Sequence, residues 1–201
     1  MGIPVLIMGE SGSGKSASLR KFEPDEIGIL NVASKPLPFR KKLKKVDNAT
    51  YKTIYKALTD PKLKIYAIDD SQYLMAFEMF ARAKETGYGK FTDCAKQFYD
   101  LIQFVIRNTP NDCIVYFLHH VEKTDSGDIK AKTQGKMLDN QLTLEGLFSV
   151  VLLCETDGKI HKFITQSDGS TTAKSPMEMF ELEIDNDLKF VDSTIREYYE
   201  L

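Results

Sequence analysis

The sequence predicts an α/β fold in which a mainly parallel sheet is flanked by helices and extended by a late antiparallel hairpin. Two observations carry this prediction. Short apolar runs of strand length alternate with segments of helical spacing, which is the pattern of parallel strands joined by crossover helices. Later in the chain, two apolar runs flank the turn sequence Glu-Thr-Asp-Gly at residues 155–158, which is typical of a hairpin.

Each element follows from a local pattern. Apolar runs predict the strands of the parallel sheet at residues 4–8, 27–33, 63–68 and 113–118. Apolar residues at helical spacing predict helices at residues 17–22, 50–58, 73–84 and 94–107. The hairpin strands are expected at residues 148–154 and 159–165. A final helix is expected where Val191, Ile195 and Tyr199 share one face.

Three polar segments are expected to be loops. Residues 34–45 contain prolines and, from Lys35 to Lys45, six bases without an acid. Residues 85–93 contain two glycines. Residues 121–141 are rich in turn formers, and a structureless stretch of that length inside a compact domain is usually functional.

The composition is that of an ordinary globular protein, with 42% hydrophobic and 28% charged residues among 201. It excludes collagen-like, low-complexity and disulfide-scaffold classes. The apolar runs are too short to span a bilayer and no cleavable signal fits the first residues, so no membrane partner is expected. The three cysteines are scattered, which favours a reducing compartment such as the cytoplasm.

The charge is unevenly distributed along the chain. The net charge is −2, yet residues 175–201 carry −6 and residues 1–174 carry +4. We therefore expect a core at residues 1–174 and an acidic C-terminal segment at 175–201 that packs on the core or extends from it. A weakly basic body suits a polyanionic partner, although an ordinary solvated surface explains the same charges.

One motif decides the class of chemistry. Residues 9–16, GESGSGKS, match G-x-x-x-x-G-K-[ST] in full, between a predicted strand and a predicted helix. Its glycines let backbone N–H groups curl around phosphates, Lys15 reaches the β- and γ-oxygens, and the Ser16 hydroxyl ligates Mg²⁺. The sequence therefore predicts ATP and Mg²⁺ as cofactors. The candidate nucleotide-binding residues are Gly9, Glu10, Ser11, Gly12, Ser13, Gly14, Lys15, Ser16 and Ala17.

Polar residues at two later strand ends complete this predicted site. Asp69 ends the third strand and is the candidate magnesium acid together with Ser16. Asp70 is the candidate base that polarises the attacking water, although aspartates at strand ends also cap helices and turns. His119 and His120 end the fourth strand. Strand alternation puts them on opposite faces, and we expect His120 to sense the γ-phosphate.

Six segments resemble the small bacteriophage ATPases of RecA-like type that are grouped with single-strand annealing proteins. They are PVLIMGESGSGKSASLR, NVASKPLPF, YAIDDSQYL, FLHHVE, TQGKMLDNQLTLEGLFSVVL and KSPMEMFELEIDNDLKFVD. The resemblance implies a RecA-like P-loop NTPase core and a DNA-stimulated recombination ATPase, for annealing or strand exchange, in the cytoplasm of a bacterial host. It also implies single-stranded DNA as partner, a homo-oligomeric ring or helical filament, and a further single-strand DNA binding protein as a possible associate.

The resemblance also suggests where DNA would bind. Residues 85–93 are placed like the first DNA loop of such proteins and residues 121–141 like the second. The candidate DNA-binding residues are Lys123, Lys130, Lys132 and Lys136. Four acids balance these lysines, so a flexible surface lid remains an alternative, and the basic segment 35–45 is a rival site.

Two departures concern catalysis. The recombinases carry a catalytic Glu after the second strand, and NVASKPLPF offers none, so water activation would fall to Asp70 or another group. No arginine lies between residues 108 and 195, so an interfacial cation in that region must be a lysine. We expect Lys174 to act in trans at a neighbouring subunit's ATP, with Lys159 and Lys162 as rivals and a solvated loop lysine as the alternative.

Other functions remain open at this point. A nucleotide or small-molecule kinase has a similar length and motif, and an AAA+ helicase loader or remodeller is a second alternative. The chain has only five arginines, which weakens both, because kinase lids and AAA+ fingers need arginine on the transferring phosphates. A non-catalytic binding module also remains.

Overall fold

The computed structural model describes residues 1–134, 138 and 142–201. Within these ranges the chain is α/β, with a mostly parallel mixed sheet, flanking helices and a late antiparallel hairpin, as the sequence predicts. The strands are β1 Ile3–Gly9, β2 Gly28–Asn31, β3 Lys45–Asp47, β4 Ile65–Asp69, β5 Ile114–Lys123, β6 Ile129–Ala131, β7 Val150–Thr156, β8 His161–Ile164 and β9 Glu183–Asp185.

The strand order puts the first strand at the centre of the sheet. The order is β3-β2-β4-β5-β1-β7-β8-β9, and β6 pairs with β5 beside this path. The pairs from β3 through to β7 are parallel, whereas β7–β8, β8–β9 and β5–β6 are antiparallel. The carboxyl ends of β4, β5 and β1 therefore meet at one edge, where ligands bind in open parallel sheets.

The helices cover both faces of the sheet. They are α1 Tyr51–Thr59, α2 Tyr73–Ala81, α3 Gly89–Asn108 and α4 Leu188–Tyr198, with 3-10 helices at Ser16–Lys21 and Leu144–Leu147. Side-chain oxygens begin two of them. Thr50 Oγ1 accepts from the N–H of Thr53 at α1, and Asp187 accepts from two N–H groups at α4. Such caps satisfy N–H groups that have no partner inside the helix. No helix among the described residues is long and apolar enough to cross a membrane.

Alternation along β1 divides the core into two halves. Leu6 and Met8 pack in a cluster with α1, α2 and α3, whereas Val5 and Ile7 pack in a second cluster with the 3-10 helix 16–21 and α4. All four side chains are fully buried. A strand buried on both faces reads as a continuous apolar run, which is why the β1 sequence shows no polar alternation.

The acidic C-terminal segment is part of this core. Leu188, Val191 and Ile195 of α4 are fully buried against the second half of the core, while Tyr199 is 38% exposed. The segment also supplies β9 and a hydrogen bond from Tyr116 Oη in β5 to Asp192 Oδ1, 3.0 Å. It therefore packs on the sheet over most of its length.

Four sequence expectations need correction. The 121–141 segment is only partly a loop, because β5 runs on to Lys123 and pairs with β6 across a turn in which Gly127 has φ 93°. The 85–93 segment is partly helical, because Phe91 continues the apolar spacing of α3 toward Gly89. Residues 17–22 form a 3-10 turn, where the Ser18 hydroxyl bonds the Lys15 carbonyl. The structure also contains two edge strands, β3 and β9, that the sequence does not predict.

The packing of α4 gives a stability prediction. Ile195→Ala should lower the free energy of unfolding by about 3 kcal/mol, since it removes a fully buried side chain and leaves a cavity. The exposed neighbour Glu197→Ala should change it by less than about 0.5 kcal/mol. Urea denaturation followed by circular dichroism measures both. Equal effects of the two substitutions would mean that α4 is detached from the core.

Candidate functional site

The candidate site is a cleft of about 370 Å³ at the carboxyl edge of β4, β5 and β1. Gly9 ends β1 opposite His120 of β5, and Asp69 ends β4. The residues that line it include Lys15, Ser16, Lys35, Asp69, Asp70 and His120. The sheet order thus brings together the loop 9–16, both aspartates and one of the two histidines, as the sequence predicts for the carboxyl ends of neighbouring strands.

The loop 9–16 is folded around the side chain of Lys15. Gly12 and Gly14 have φ values of 82° and 107°, which L side chains rarely adopt. The Lys15 ammonium donates to the carbonyls of Gly9 and Glu10, both at 2.8 Å. Lys15 is only 6% exposed, and desolvation lowers its pKa to about 8. The ammonium is therefore held in the mouth of the loop by weak, uncharged acceptors.

Ser16 and Asp69 are in direct contact. The Ser16 hydroxyl donates to Asp69 Oδ1 at 2.7 Å, which joins the loop after β1 to the end of β4. Asp69 is 4% exposed. Desolvation raises its pKa, and the hydrogen bond from Ser16 opposes that shift. The two residues that the sequence assigns to a metal ion thus present adjacent oxygen atoms.

Asp70 lies between two hydrogen-bond donors. Its backbone has φ 59°, in the left-handed region, and this turns the carboxylate into the cleft. His120 Nε2 donates to Oδ1 at 3.0 Å, and Lys35 Nζ pairs with Oδ2 at 2.8 Å. Burial would raise the pKa of Asp70, but the bonds from His120 and Lys35 outweigh it and lower the pKa. Both carboxylate oxygens are therefore occupied.

The two histidines have different environments. His120 lines the cleft and meets Tyr73 edge-on, with ring centroids 5.8 Å apart. His119 is fully buried, where its Nε2 donates to the Lys132 carbonyl at 2.7 Å and its Nδ1 lies 2.9 Å from the Ser71 hydroxyl. Desolvation lowers the pKa of His119 to about 4, so its ring stays neutral near pH 7. Of these two histidines, His120 is the one that lines the cleft, which His161 lines as well.

Three residues that the sequence analysis did not single out brace the loop from the far side. The Cys154 thiol and His161 Nδ1 both donate to the Ser13 carbonyl, at 3.0 and 2.7 Å. Asn186 Nδ2 lies 3.3 Å from the Gly14 carbonyl. These residues lie on β7, on β8 and just before α4, so no spacing within the motif points to them. Lys35 was seen only as one base of a basic segment.

Three of the four predicted DNA-binding lysines lie on or next to the β5–β6 ribbon. Lys123 Nζ is 3.4 Å from Glu10 Oε1, so the ribbon borders the loop 9–16. Lys130 Nζ is 3.3 Å from Glu122 Oε1. Lys132 is exposed, and its main chain bonds to both histidines. Lys136 lies outside the described residues. Of the four acids that balance these lysines in the sequence, Glu122 thus also pairs with one of them in space.

Lys174 lies away from the cleft of its own chain. Its backbone exchanges two hydrogen bonds of 2.8 Å with Val151, at the start of β7. Val151 stands opposite Leu6 in β1, three residues before the loop begins at Gly9. Any action of Lys174 on a nucleotide would have to be in a neighbouring subunit, and that role stays a prediction.

Comparison with protein-family models and with curated proteins gives no match for this chain. The function is therefore argued from the geometry of the site and from the sequence motif.

Burial of His119 gives a pH-dependent prediction. The unfolded chain binds a proton at this ring near pH 6.5 and the folded chain only near pH 4, so stability falls as pH decreases through that window. Between pH 6.5 and pH 5 the loss from this group should be about 2 kcal/mol.

The His119→Gln variant isolates this contribution. Its free energy of unfolding, measured by urea denaturation at both pH values, should lose the part of the slope that comes from the ring. The wild-type advantage over the variant should therefore be about 2 kcal/mol smaller at pH 5 than at pH 6.5. An advantage that is the same at both pH values would contradict a neutral, buried His119.

Proposed function

We propose that this chain is a magnesium-dependent ATPase with a RecA-like P-loop core that acts on single-stranded DNA as a homo-oligomer. The observation that supports the ATPase most directly is the 2.7 Å hydrogen bond between Ser16 and Asp69 beside the buried ammonium of Lys15. A hydroxyl, a carboxylate and a cation thus converge at the mouth of a glycine loop. That is the group of side chains that a nucleoside triphosphate with its metal ion requires.

The cleft has the properties of a phosphate site. Its volume of about 370 Å³ falls within the range of small-molecule sites. The loop has the positive φ angles at Gly12 and Gly14 that turn successive N–H groups toward an anion. Lys15 is bound only by two carbonyls, which a phosphate oxygen would replace as a stronger, charged acceptor.

Ser16 and Asp69 would hold the magnesium ion. No group of three His, Cys, Asp or Glu side chains among the described residues could bind a metal ion unaided. This agrees with magnesium, which keeps several waters and uses one or two carboxylates together with substrate phosphates. When bound, the ion would neutralise charge on the β- and γ-phosphates.

Asp70 and His120 are the groups proposed for water activation. Asp70 would orient the attacking water through a carboxylate oxygen, and His120 would hold the carboxylate and contact the γ-phosphate. Because the pKa of Asp70 is lowered, it is a weak proton acceptor, and slow hydrolysis is the expected behaviour. A kinase or AAA+ function is less favoured, since no arginine is among the described residues that line the cleft.

The DNA part of the proposal rests on the sequence resemblance and on the position of the β5–β6 ribbon. The ribbon borders the loop 9–16, as the contact between Lys123 and Glu10 illustrates. A DNA strand bound along the ribbon would lie next to the nucleotide. In that arrangement, binding of DNA could change the affinity for the nucleotide, and the reverse. Assembly into a ring or filament and the role of Lys174 in trans are proposed on the same resemblance.

Removing the buried cation should abolish nucleotide binding. Lys15→Ala should weaken ATP binding by about 100-fold, since a charge-assisted contact to phosphate of about 3 kcal/mol is lost. Isothermal titration with Mg·ATP measures this loss. Lys52→Ala, at an exposed position of α1, is the matched control and should bind normally. Unchanged affinity in Lys15→Ala would refute the nucleotide site.

Single-stranded DNA binding should weaken steeply with salt. Each lost phosphate contact lowers the slope of log affinity against log salt by about 0.7 for a single strand. Fluorescence anisotropy with a labelled oligonucleotide, in the presence of a non-hydrolysable ATP analogue, should give a slope of a few units. Lys132→Ala should reduce this slope by about 0.7, the value of one phosphate contact. A salt-independent affinity, or no binding, would favour a kinase or a non-catalytic module instead.

A further inference from the structure

Lys35 is the second lysine that lines the cleft, and the proposed function gives it no part in binding the nucleotide. One hydrogen bond reaches the Lys35 backbone directly, and two more hold the turn around it. Asn31 Nδ2 donates to the Lys35 carbonyl at 2.7 Å and to Asp47 Oδ1 at 2.9 Å. Ser34 has φ 58°, and its hydroxyl accepts from the N–H of Asn48 at 2.7 Å. The turn after β2 thus holds the start of this side chain in a set place.

The end of the Lys35 side chain is less constrained. Its side chain is 55% exposed, while its ammonium lies 2.8 Å from Asp70 Oδ2 and 5.1 Å from the centre of the Tyr73 ring. An ion pair with an exposed partner contributes little, because water competes for the charge. A stronger anion placed in the cleft would therefore compete successfully with Asp70 for this ammonium.

The terminal phosphate of a nucleoside triphosphate is such an anion. Lys35 lines the same cleft as the loop 9–16 and as Ser16 and Asp69. The γ-phosphate carries more charge than a carboxylate and lies beyond the β-phosphate that Lys15 also contacts. A nucleoside diphosphate lacks this group and would leave the Lys35–Asp70 pair intact.

We propose that Lys35 is a phosphate-binding cation of the same subunit, which leaves Asp70 and pairs with the terminal phosphate when a triphosphate occupies the cleft. This inference rests on the proposed nucleotide site. The exchange frees Asp70 Oδ2 for the attacking water, while His120 continues to hold Oδ1. Lys35 thereby distinguishes triphosphate from diphosphate and supplies, within one subunit, a charge that an arginine provides in many other ATPases.

The test compares two nucleotides in wild-type protein and five variants. Affinities for a non-hydrolysable ATP analogue and for ADP are measured by titration calorimetry with magnesium. Lys35→Ala should weaken the analogue about 10-fold and change ADP by less than about 2-fold, since one charged contact is worth about 1.4 kcal/mol or more. Lys42→Ala, an exposed lysine of the same segment outside the cleft lining, should change neither. Normal ADP binding also reports that each variant is folded.

A double-mutant cycle separates direct contact from simple neutralisation of Asp70. If Lys35 only masks the charge of Asp70, then Lys35→Ala should not change the affinity for the ATP analogue in the Asp70→Asn background. If Lys35 contacts the phosphate, the 10-fold loss of analogue affinity should persist in the Asp70→Asn background, and Lys35→Arg should restore it. Either an unchanged analogue-to-ADP ratio in Lys35→Ala or recovery of that ratio in the double variant overturns the inference. Wild-type protein that binds neither nucleotide overturns the proposed function itself, and the inference with it.

Discussion

The burial of the Lys15 ammonium is the constraint on which the rest of the site depends. Removing a charge from water costs several kcal/mol unless other groups replace the solvent. Here two carbonyls of the same loop accept its hydrogen bonds, and the carboxylates of Asp69 and Asp70 lie close enough to raise its pKa against the effect of burial. In the same loop, Gly12 and Gly14 adopt the positive φ angles that turn the chain around the ammonium. The buried cation thus constrains both the shape of the loop and the sign of the charges on the side chains around it.

The opposite side of the loop depends on residues from the last third of the chain. Cys154 and His161 donate to the carbonyl of Ser13, and Asn186 contacts the carbonyl of Gly14, which also accepts from the N–H of Ser18. A Cβ at Gly14 would lie 2.7 Å from His161 Nδ1, so the contact also demands glycine there. The late hairpin and the acidic segment are therefore structural supports of the site.

Charge separation along the sequence is reduced in the folded chain. The acidic segment pairs with bases from distant positions: Asp187 lies 2.8 Å from Lys21, and Glu183 lies 2.8 Å from Lys162. The basic segment after β2 is likewise paired in part, with Lys41 on Glu23 and Lys44 on Asp25. The folded surface therefore offers a polyanionic partner fewer unpaired charges than the sequence suggests.

The sequence predicts the parts of this structure that depend on local pattern. The loop 9–16 is identified by its motif, and Asp69 and His120 by their place at strand ends, since the carboxyl ends of parallel strands share one edge. Lys35 and Asn186 could not be predicted, because only the order of strands in the sheet brings Lys35 to the cleft and Asn186 to the loop 9–16. Edge strands such as β3 have only three residues, which is too short for alternation of apolar and polar residues to be recognised in the sequence. The 3-10 turn at Ser16–Lys21 is equally hidden, since its apolar spacing is that of an α-helix.

The central place of β1 has a consequence for biosynthesis. Both of its sheet neighbours, β5 and β7, are encoded more than 100 residues later, with Val5 opposite Tyr116 on one side and Val150 on the other. At a translation rate of about 5–20 residues per second, about 5–20 s pass between the synthesis of β1 and that of its first partner. During that time an apolar strand with two open edges is outside the ribosome without its sheet. The segment that later carries the glycine loop is thus the part of the chain most in need of shielding by a chaperone while the chain is being made.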